Sequence, residues 1–514
     1  MGRPLCSALR VILARTVATF RHSLWLSILA IALPLGGADQ AQWGERWTRN
    51  LISNERHLPD IFDPKTRQNI KWSVRLGTET HSTPIIAGGR VYIGTNNGEP
   101  RDPKHDGDRG VLMCFSEQDG KLQWQLVVPK REEDPFLDWP KSGIASSATV
   151  EGDRVYVVSN RGEVICLDAR GLANGNDGPY LDEARHMTSK NAPSLRLGAL
   201  DADILWLYDL TAGVGIWSHD AAHSSILILG NYLYLNTGTG VDNTHKKIRT
   251  PNAPSLVVLD KRTGQLIARD NEHIAPNIFH STWSSPSAAK VNGRTLVFFS
   301  GGNGVVYGFE PISESASTHE VQFLKRVFRF DFDPTAPKEN VHRYNSNRRE
   351  SPSNLYGFPV FDHHRLYLAG GGDLWWGKNE AWLKCIDATK TGDVTSSAEI
   401  WAYPLVKHVL STPAIYRGLV FIADCGRRVH CLDAKTGKAL WTHEANGEFW
   451  SSPLVADGKV YIGTRRGDFW VFAAEREKRI LSTVEFGAPI SATATAANGV
   501  LYVSTMFELF AIAR

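Results

Sequence analysis

Five of eight equivalent positions in a repeated sequence pattern carry side chains suited to binding a planar ligand. The eight residues, each at the start of one repeat, are His81, Ala145, His223, Trp283, Tyr356, Leu410, Trp450 and Ser491. Aromatic rings stack on planar groups, and a neutral imidazole can donate a hydrogen bond or act as a general base near pH 7. If the repeats form a ring, these side chains predict a ligand site at its axis.

Loops next to these positions add further groups that could contact a ligand. The main candidates are His280, Arg343, Arg349 and Asp373. Arginine can bind a carboxylate or phosphate through paired N–H donors. The same residues would also serve to fill the channel and satisfy loop backbone, so the sequence leaves both a ligand site and a plug open. The chain has no zinc motif, phosphate loop or nucleophile elbow, and we predict no metal site.

The element that must position these residues is a repeated β-hairpin. Residues 82–95 (STPIIAGGRVYIGT) and 451–464 (SSPLVADGKVYIGT) share one spacing around a glycine turn. Related copies begin at Ser146, Ser224, Ser284, Gly357, Ser411 and Ala492. Each copy continues with a third β-rich run and a turn into a fourth. Four runs per copy, in eight copies, predict an all-β fold, an eight-bladed β-propeller.

The two ends of the repeat predict how the ring closes. The last copy, residues 490–512, has three β-rich runs, whereas residues 70–74 look like a fourth run with no copy before them. We expect residues 70–74 to pair with residues 506–512, so that an N-terminal strand completes the C-terminal blade. Such closure leaves no exposed sheet edge.

Strand order sorts the long insertions between the two faces of the ring. Six insertions follow the second or the fourth strand of a copy, which places them on one face: residues 96–109, 129–143, 238–254, 270–282, 331–353 and 371–381. Residues 170–203 are the one long insertion that we assign to the other face. Long loops on a rigid scaffold commonly build binding sites, so we predict that the long-loop face is the functional one.

Tryptophan and cysteine also follow the repeat. Five tryptophans take the fourth-strand position, where we expect them to pack between blades: Trp72, Trp124, Trp206, Trp401 and Trp441. Four cysteines share one third-strand position in four blades: Cys114, Cys166, Cys385 and Cys431. Neighbouring blades hold that strand too far apart for a disulfide. We expect these four, together with Cys425, to be free buried thiols.

The repeat resembles that of a known family. Its Ser-x-Pro, Gly-x-Val-Tyr-x-Gly and Leu-Asp-x-x-Thr-Gly elements, with a closing Trp, are similar to the pyrroloquinoline-quinone (PQQ) repeat over residues 70–514. The resemblance implies the eight-bladed fold of the quinoprotein alcohol dehydrogenases and of non-catalytic relatives such as the BamB outer-membrane assembly lipoprotein. It is specific for fold and says less about activity.

Two functions of different classes follow from the resemblance. One is a scaffold that binds a small molecule, protein or polymer through the long-loop face. The other is a PQQ-dependent dehydrogenase acting on an alcohol or sugar, which implies PQQ with calcium as cofactors. The resemblance implies a calcium site of Glu, Asn and Asp, which we cannot place in this chain, and often an adjacent Cys pair, which is absent. We therefore favour binding over catalysis.

The N-terminus predicts export. Residues 1–38 hold four Arg and no acid, and contain an apolar run of residues 24–35 followed by Gly36-Gly37-Ala38. This is the order of a secretory signal peptide, with cleavage after Ala38, although retention as an anchor stays open. The remainder has 53 basic and 54 acidic side chains, a balance that argues against nucleic-acid binding. We expect a signal at 1–38, an extension at 39–69, a propeller at 70–514, and a periplasmic or extracellular location without a transmembrane domain.

Overall fold

Eight antiparallel sheets form the ring, as predicted. The structure, a computed structural model, describes residues 38–131, 139–220, 224–313 and 320–514. In every blade the strands pair in the order first, second, third, fourth, and the last blade takes its fourth strand from the N-terminal region. The predicted signal peptide lies, apart from Ala38, outside the described residues. None of the helices in the described part of the chain is long and apolar enough to span a membrane.

The first four blades contain their strands in chain order. Blade 1 consists of Ile85–Ala87, Arg90–Asn96, Arg109–Ser116 and Leu122–Pro129. Blade 2 consists of Thr149–Glu151, Arg154–Val158, Glu163–Asp168 and Ile204–Asp209. Blade 3 consists of Leu227–Leu229, Tyr232–Asn236, Leu256–Asp260 and Leu266–Arg269. Blade 4 consists of Ser287–Val291, Arg294–Ser300, Val305–Phe309 and Arg326–Asp331.

The last four blades complete the ring. Blade 5 consists of Val360–Asp362, Arg365–Gly371, Ala381–Asp387 and Glu399–Pro404. Blade 6 consists of Ala414–Tyr416, Leu419–Asp424, Arg428–Asp433 and Ala439–Glu444. Blade 7 consists of Leu454–Ala456, Lys459–Gly463, Asp468–Ala473 and Ile480–Glu485. Blade 8 consists of Thr495–Ala497, Val500–Ser504, Glu508–Ile512 and the N-terminal strand Ile70–Arg75.

Short helices lie in the connections. The α-helices are Glu183–His186 and Leu210–Val214, and the 3₁₀ helices are Gly171–Asn174, Ala275–Asn277 and Val341–Tyr344. Three two-residue strands extend the blades: Ile52–Ser53 pairs with blade 7, Gln322–Phe323 with blade 3 and Gly392–Asp393 with blade 4. The last two lie between the third and fourth strands of blades 4 and 5. Residues 310–325, between the third and fourth strands of blade 4, are as long as insertions on the long-loop face. The expectation that residues 170–203 are the one long insertion on the other face was therefore wrong.

The N-terminal strand closes the ring by pairing with the last strand of the chain, as predicted. It runs antiparallel to the last strand, with Ile70 opposite Ile512 and Arg75 opposite Glu508. Trp72 on this strand is 6% exposed and donates its indole N–H to the Glu117 carbonyl of blade 1 at 3.0 Å. Blade 8 is thus held to blade 1 by the same strand that completes it.

The other predicted inter-blade tryptophans make the same contact. Trp124, Trp206, Trp401 and Trp441 each donate the indole N–H to a carbonyl of the following blade at 2.9–3.2 Å. For Trp206 and Trp401, the Thr-Gly turn of the following blade lies against the ring. At Gly437, whose φ is +70°, a Cβ atom would stand 2.5 Å from the Trp401 ring, so the glycine of the repeat is required by this packing as well as by its turn.

Packing between two aromatic rings also explains why cysteine occupies its third-strand position. Cys114 lies between Tyr92 on the second strand and Trp124 on the fourth, and Cys166, Cys385 and Cys431 have equivalent aromatic neighbours. In blade 8 the same position is Ala511. A small side chain fits between two large rings, and the five cysteines of the described residues are all buried and free, as predicted.

The segment before the closing strand follows the ring from blade 1 to blade 8. Between residues 40 and 55 it touches the first strand, or the residues beside it, of every blade in ring order. The hydrogen bonds run from Ile86 N to Gln40 O, Val150 N to Ala41 O, Trp47 Nε1 to Ile228 O, Ala288 N to Trp47 O, Phe361 N to Thr48 O, Ile415 N to Asn50 Oδ1, Val455 N to Leu51 O, and Gly499 N to Glu55 Oε2. We call residues 40–55 the N-terminal plug.

Candidate functional site

A cavity of about 440 Å³ lies at the axis of the ring. Seven of the eight equivalent first-strand positions line it: His81, Ala145, Trp283, Tyr356, Leu410, Trp450 and Ser491. The eighth, His223, lies outside the described residues. The repeat places these side chains together because every first strand begins at the same depth in the ring. As ligand-binding residues they remain predictions.

Aromatic rings form one continuous part of the cavity wall. The Trp283 and Tyr356 ring centroids are 4.6 Å apart. Trp375 stands edge-on to Trp283 at 5.5 Å and to Trp450 at 5.9 Å. His81 stacks beside Trp450, with 6.3 Å between the ring centroids. Trp375 is 37% exposed, so the wall offers ring faces and edges against which a planar group can lie.

The cavity contains an arginine that the sequence analysis did not single out. Arg465 lies 4.4 Å from the centroid of the Trp450 ring and donates to Ser491 Oγ at 2.5 Å. Burial lowers the pKa of Arg465. Arg343 and Arg349, predicted as ligand contacts, are exposed and absent from the cavity wall. Both lie at exposed positions of a long loop, whereas Arg465 lies on a short turn between the second and third strands of blade 7.

A buried hydrogen-bonded group lies behind the aromatic wall. Asp373 Oδ2 is 2.9 Å from His280 Nδ1 and accepts a hydrogen bond from the Tyr356 hydroxyl. Its other oxygen accepts the backbone N–H groups of Trp375 and Trp376. Asp373 is fully buried, so the structure brings together three predicted residues, Tyr356, His280 and Asp373, although Asp373 supports the wall and does not line it.

These contacts set the charges of the group. Burial opposes ionisation of Asp373, but the charge of His280 and the hydrogen bonds it receives hold its pKa at about 2. Burial alone lowers the pKa of His280, whereas the neighbouring Asp373 raises it overall. Burial raises the pKa of Tyr356 well above its usual value. Asp373 is thus an anion behind the cavity wall that fixes the positions of the His280 imidazole and the neutral Tyr356 phenol within the wall.

Two further histidines adjoin His280. The His219 and His280 Nε2 atoms are 2.9 Å apart. The His245 ring centroid lies 4.9 Å from the His219 ring centroid and 5.3 Å from the His280 ring centroid. Burial, followed by the charge of the neighbouring imidazoles, lowers the pKa of His219 well below its usual value, and that of His245 is lowered also. One nitrogen from each of the three lies within 4.8 Å of the others, which makes this the group of described residues that could hold a metal ion. The prediction of no metal site did not anticipate it.

Sequence reasoning missed His219 and His245 because they lie outside the hairpin pattern. His219 and His280 precede the first strands of blades 3 and 4, while His245 lies on the long loop between the second and third strands of blade 3. Loops that leave the same face of adjacent blades lie next to each other. Histidines in these adjacent loops were therefore the sequence signal that could have predicted the cluster.

The N-terminal plug forms the floor of the cavity. Trp43 lines it and packs against Phe358 with ring centroids 4.3 Å apart. Next in the plug, Arg49 is fully buried and donates to the backbone carbonyls of Trp43, Ser225 and Pro286. The cavity is therefore bounded by the plug at one end of the axis and by the long loops at the other.

The fold and its axial cavity define an eight-bladed propeller of the PQQ-repeat class. The family model described as outer membrane protein assembly factor BamB matches residues 65–170, 108–327 and 379–498. The chain belongs to this BamB-like family of PQQ-repeat propellers.

Individual relatives include both enzymes and an assembly factor. The quinohemoprotein alcohol dehydrogenase ADH IIB of Pseudomonas putida is 23% identical over 416 residues, which cover 75% of this chain and 53% of that protein. The chain thus spans about half the length of this curated relative. Among solved structures, a europium-containing methanol dehydrogenase has a TM-score of 0.59 at 11% identity, covering 93% of this chain and 98% of its own. BamB from Moraxella catarrhalis has a TM-score of 0.50 at 13% identity, covering 87% and 97%. At these identities the structural matches establish the fold alone.

Proposed function

We propose that the protein is an exported binding propeller that takes a small ring-shaped ligand, a planar aromatic or a sugar, in its axial cavity. The observation that carries this proposal is the convergence of four aromatic residues, Trp283, Tyr356, Trp375 and Trp450, on one cavity of about 440 Å³. Cavities of this size, mostly apolar with a few placed polar groups, are typical small-molecule sites. Arg465, His81 and Glu79 supply such polar groups here.

The wall is organised for stacking as well as for filling space. A plug of the channel needs only to exclude water, but here Trp375 remains partly exposed and open space separates the rings from the floor at Trp43. Arg465 lies over one ring and beside Ser491, where it can pair with an anionic or hydroxylated substituent. These features favour a ligand site over a purely structural plug.

Binding is tested by titrating the protein with two probes, PQQ as a planar quinone and maltose as a sugar, while following tryptophan fluorescence and the melting temperature. We expect one probe to bind, and Trp450→Ala to weaken binding by about 5- to 10-fold, since an aromatic contact contributes about 1–1.5 kcal/mol. Trp470→Ala is the matched control, because Trp470 does not line the cavity. No binding of either probe, or equal affinity in both variants, contradicts the proposal.

The similarity to ADH IIB favours a second candidate, a PQQ-dependent alcohol or sugar dehydrogenase. The aromatic wall suits a flat quinone, and Arg465 suits an anionic one. Calcium fits poorly, because it requires six to eight oxygen ligands. Among the described residues, Glu79 and Asp220 are the carboxylates that line the cavity, and the buried Asp373 is already engaged by Tyr356, His280 and two backbone amides.

The two candidates are separated by reconstitution. The protein is incubated with PQQ and calcium and assayed with an artificial electron-acceptor dye on ethanol and on glucose. Dye reduction that requires both PQQ and substrate supports the dehydrogenase. Binding of a probe without dye reduction supports the binding propeller.

The long-loop face and the export prediction complete the proposal. A protein or polymer partner would contact the same loops that surround the cavity mouth. Export is supported by the order of residues 1–38 and by the family description as an outer-membrane assembly factor. Mass spectrometry of the protein from the periplasmic fraction, with a new N-terminus at Asp39, is the expected result.

A further inference from the structure

We propose that His219, His245 and His280 bind one divalent transition-metal ion at the wall of the axial cavity. This site goes beyond the proposed function and does not depend on which organic ligand enters the cavity. It rests on the geometry of the three imidazoles, on the groups that orient them and on the access that the cavity provides.

The three imidazoles are already close to a ligating arrangement. Their ring centroids are 4.7, 4.9 and 5.3 Å apart, and one nitrogen of each lies within 4.8 Å of the others. Metal–nitrogen distances of 2.0–2.1 Å in a tetrahedral site separate two ligand nitrogens by about 3.3 Å. The Nε2 atoms of His219 and His280, at 2.9 Å, need to move apart by a few tenths of an ångström, and His245 needs to rotate inward.

The close Nε2 contact itself favours a cation between the rings. Two imidazole nitrogens at hydrogen-bond distance cannot both carry a proton, so one proton is shared in the absence of a metal. A metal ion that replaces this proton satisfies both nitrogens. His245 then supplies a third nitrogen ligand. The hydrogen bond between His219 and His280 does not itself need His245.

His280 has the outer partner expected of a metal ligand. A ligating histidine typically donates its other ring N–H to a carboxylate, which fixes the ring and increases its basicity. Here His280 Nδ1 meets Asp373 Oδ2 at 2.9 Å while Nε2 points toward His219. The backbone amides of Trp375 and Trp376 hold Asp373 in place. Asp373 is therefore a positioning residue for this site.

The cavity gives the ion access and leaves a coordination position open. His245, His280 and Asp220 all line it. Asp220 Oδ2 lies 3.4 Å from His219 Nε2 and 3.6 Å from His280 Nε2, so this carboxylate, or a molecule in the cavity, can take the fourth position. Three histidines with an open position form the ligand pattern of catalytic zinc sites.

The donor type selects the metal. Imidazole nitrogen suits Zn²⁺, Cu²⁺ and Ni²⁺, whereas Ca²⁺ and Mg²⁺ require oxygen ligands. Three imidazole nitrogens, with Asp220 as the carboxylate beside their Nε2 atoms, are a poor calcium site. We therefore expect Zn²⁺ or Cu²⁺ to bind and Ca²⁺ not to bind.

The test uses the untagged chain from residue 39, stripped with a chelator and then equilibrated with Zn²⁺, Cu²⁺ or Ca²⁺. Bound metal is counted by plasma mass spectrometry, and affinity is measured by competition with a chelating dye. We expect one Zn²⁺ or Cu²⁺ per chain and no retained Ca²⁺. His219→Ala and His280→Ala should each weaken Zn²⁺ binding by at least about 100-fold, and Asp373→Asn by about 10- to 100-fold.

His443→Ala is the matched control, because His443 is half-buried against Trp470 and lies outside the cavity wall. It should retain full binding. His245→Ala distinguishes loss of the site from misfolding, since His245 is only half-buried on its loop. Without metal this variant should keep the wild-type melting temperature, and it should still bind Zn²⁺ more weakly. Absence of bound Zn²⁺ and Cu²⁺ in the wild type, or unchanged affinity in all three cluster variants, overturns the proposal.

Discussion

Trp72→Ala tests the closure of the ring at the contact where blade 8 meets blade 1. The Trp72 side chain packs near Tyr502 and against Gly120, and its indole N–H donates to the Glu117 carbonyl. The substitution removes the ring and its hydrogen bond to that carbonyl, which keeps only the longer bond from Lys71 Nζ at 3.4 Å. The strand Ile70–Arg75 keeps its backbone pairing with Glu508–Ile512. The substitution therefore isolates the inter-blade contact from the strand ladder.

The expected cost follows from burial and one hydrogen bond. Truncation of a buried Trp to Ala costs about 3–5 kcal/mol, and loss of the hydrogen bond adds about 1 kcal/mol. With an unfolding entropy of about 2.1 cal/mol/K per residue, a propeller of this length loses about 1 °C of Tm per kcal/mol. We expect Trp72→Ala to lower the Tm by about 4–6 °C, and Trp72→Phe, which keeps most of the ring contact, by about 1–2 °C.

The assay is differential scanning calorimetry on the wild type, both Trp72 variants and a control. Trp139→Ala is the control, because Trp139 is 46% exposed on a loop and should change the Tm by less than about 1 °C. A Tm for Trp72→Ala within about 1 °C of the wild type would refute the argument that this contact closes the ring.

Three further predictions concern the thiols, a buried ion pair and the plug. In the folded chain from residue 39, a thiol reagent should label no cysteine; after unfolding without reductant it should label five, since all five are buried and free. Cys166→Ala should lower the Tm by less than about 2 °C, because Ala511 fills the equivalent place in blade 8. Burial works against ionisation of Glu163, but the hydrogen bond with His186 and nearby positive charge lower its pKa to about 2. A carboxylate whose pKa is lower in the folded state stabilises above its unfolded pKa and loses that contribution as the pH falls toward 2, so Glu163→Gln should flatten the decline of Tm measured between pH 5 and pH 3; a parallel decline in the variant would contradict this assignment. Arg49→Ala should lower the free energy of unfolding by about 3 kcal/mol, because three buried carbonyls lose a charged donor. It should also make residues 40–55 susceptible to limited proteolysis. An unchanged cleavage pattern would show that Arg49 does not hold the plug.

Periodicity made most of the fold predictable. The hairpin spacing repeats with nearly constant offsets, so strand identity, blade number and the closing strand all follow from alignment of the chain with itself. The Cys and Trp positions were predictable for the same reason, since one register governs all blades. The plug was not, because residues 40–55 have no repeat, and their hydrogen bonds go to backbone groups that exist only once eight first strands surround them.

The site was predictable where it follows the repeat and not where it depends on loops. The wall residues Trp283, Tyr356 and Trp450 share a repeat position and line one cavity. Asp373 and His280 were found as loop residues near that position. Arg465 was not predicted because it lies on a short turn, whereas long loops were expected to carry the ligand contacts. His245 adopts φ of +56° on its loop, a conformation that no sequence period indicates.

The plug also reverses the usual relation between the order of synthesis and the order of assembly. Residues 40–55 are synthesised before all eight blades, yet Glu55 contacts Gly499, in a turn of the last blade. Trp43, which closes the cavity floor, belongs to this segment. The chamber is therefore completed only when the final blade has been made and has met the N-terminal plug. A truncated or partly assembled chain has strands but no closed chamber, so ligand occupancy of the cavity is a readout of completed folding.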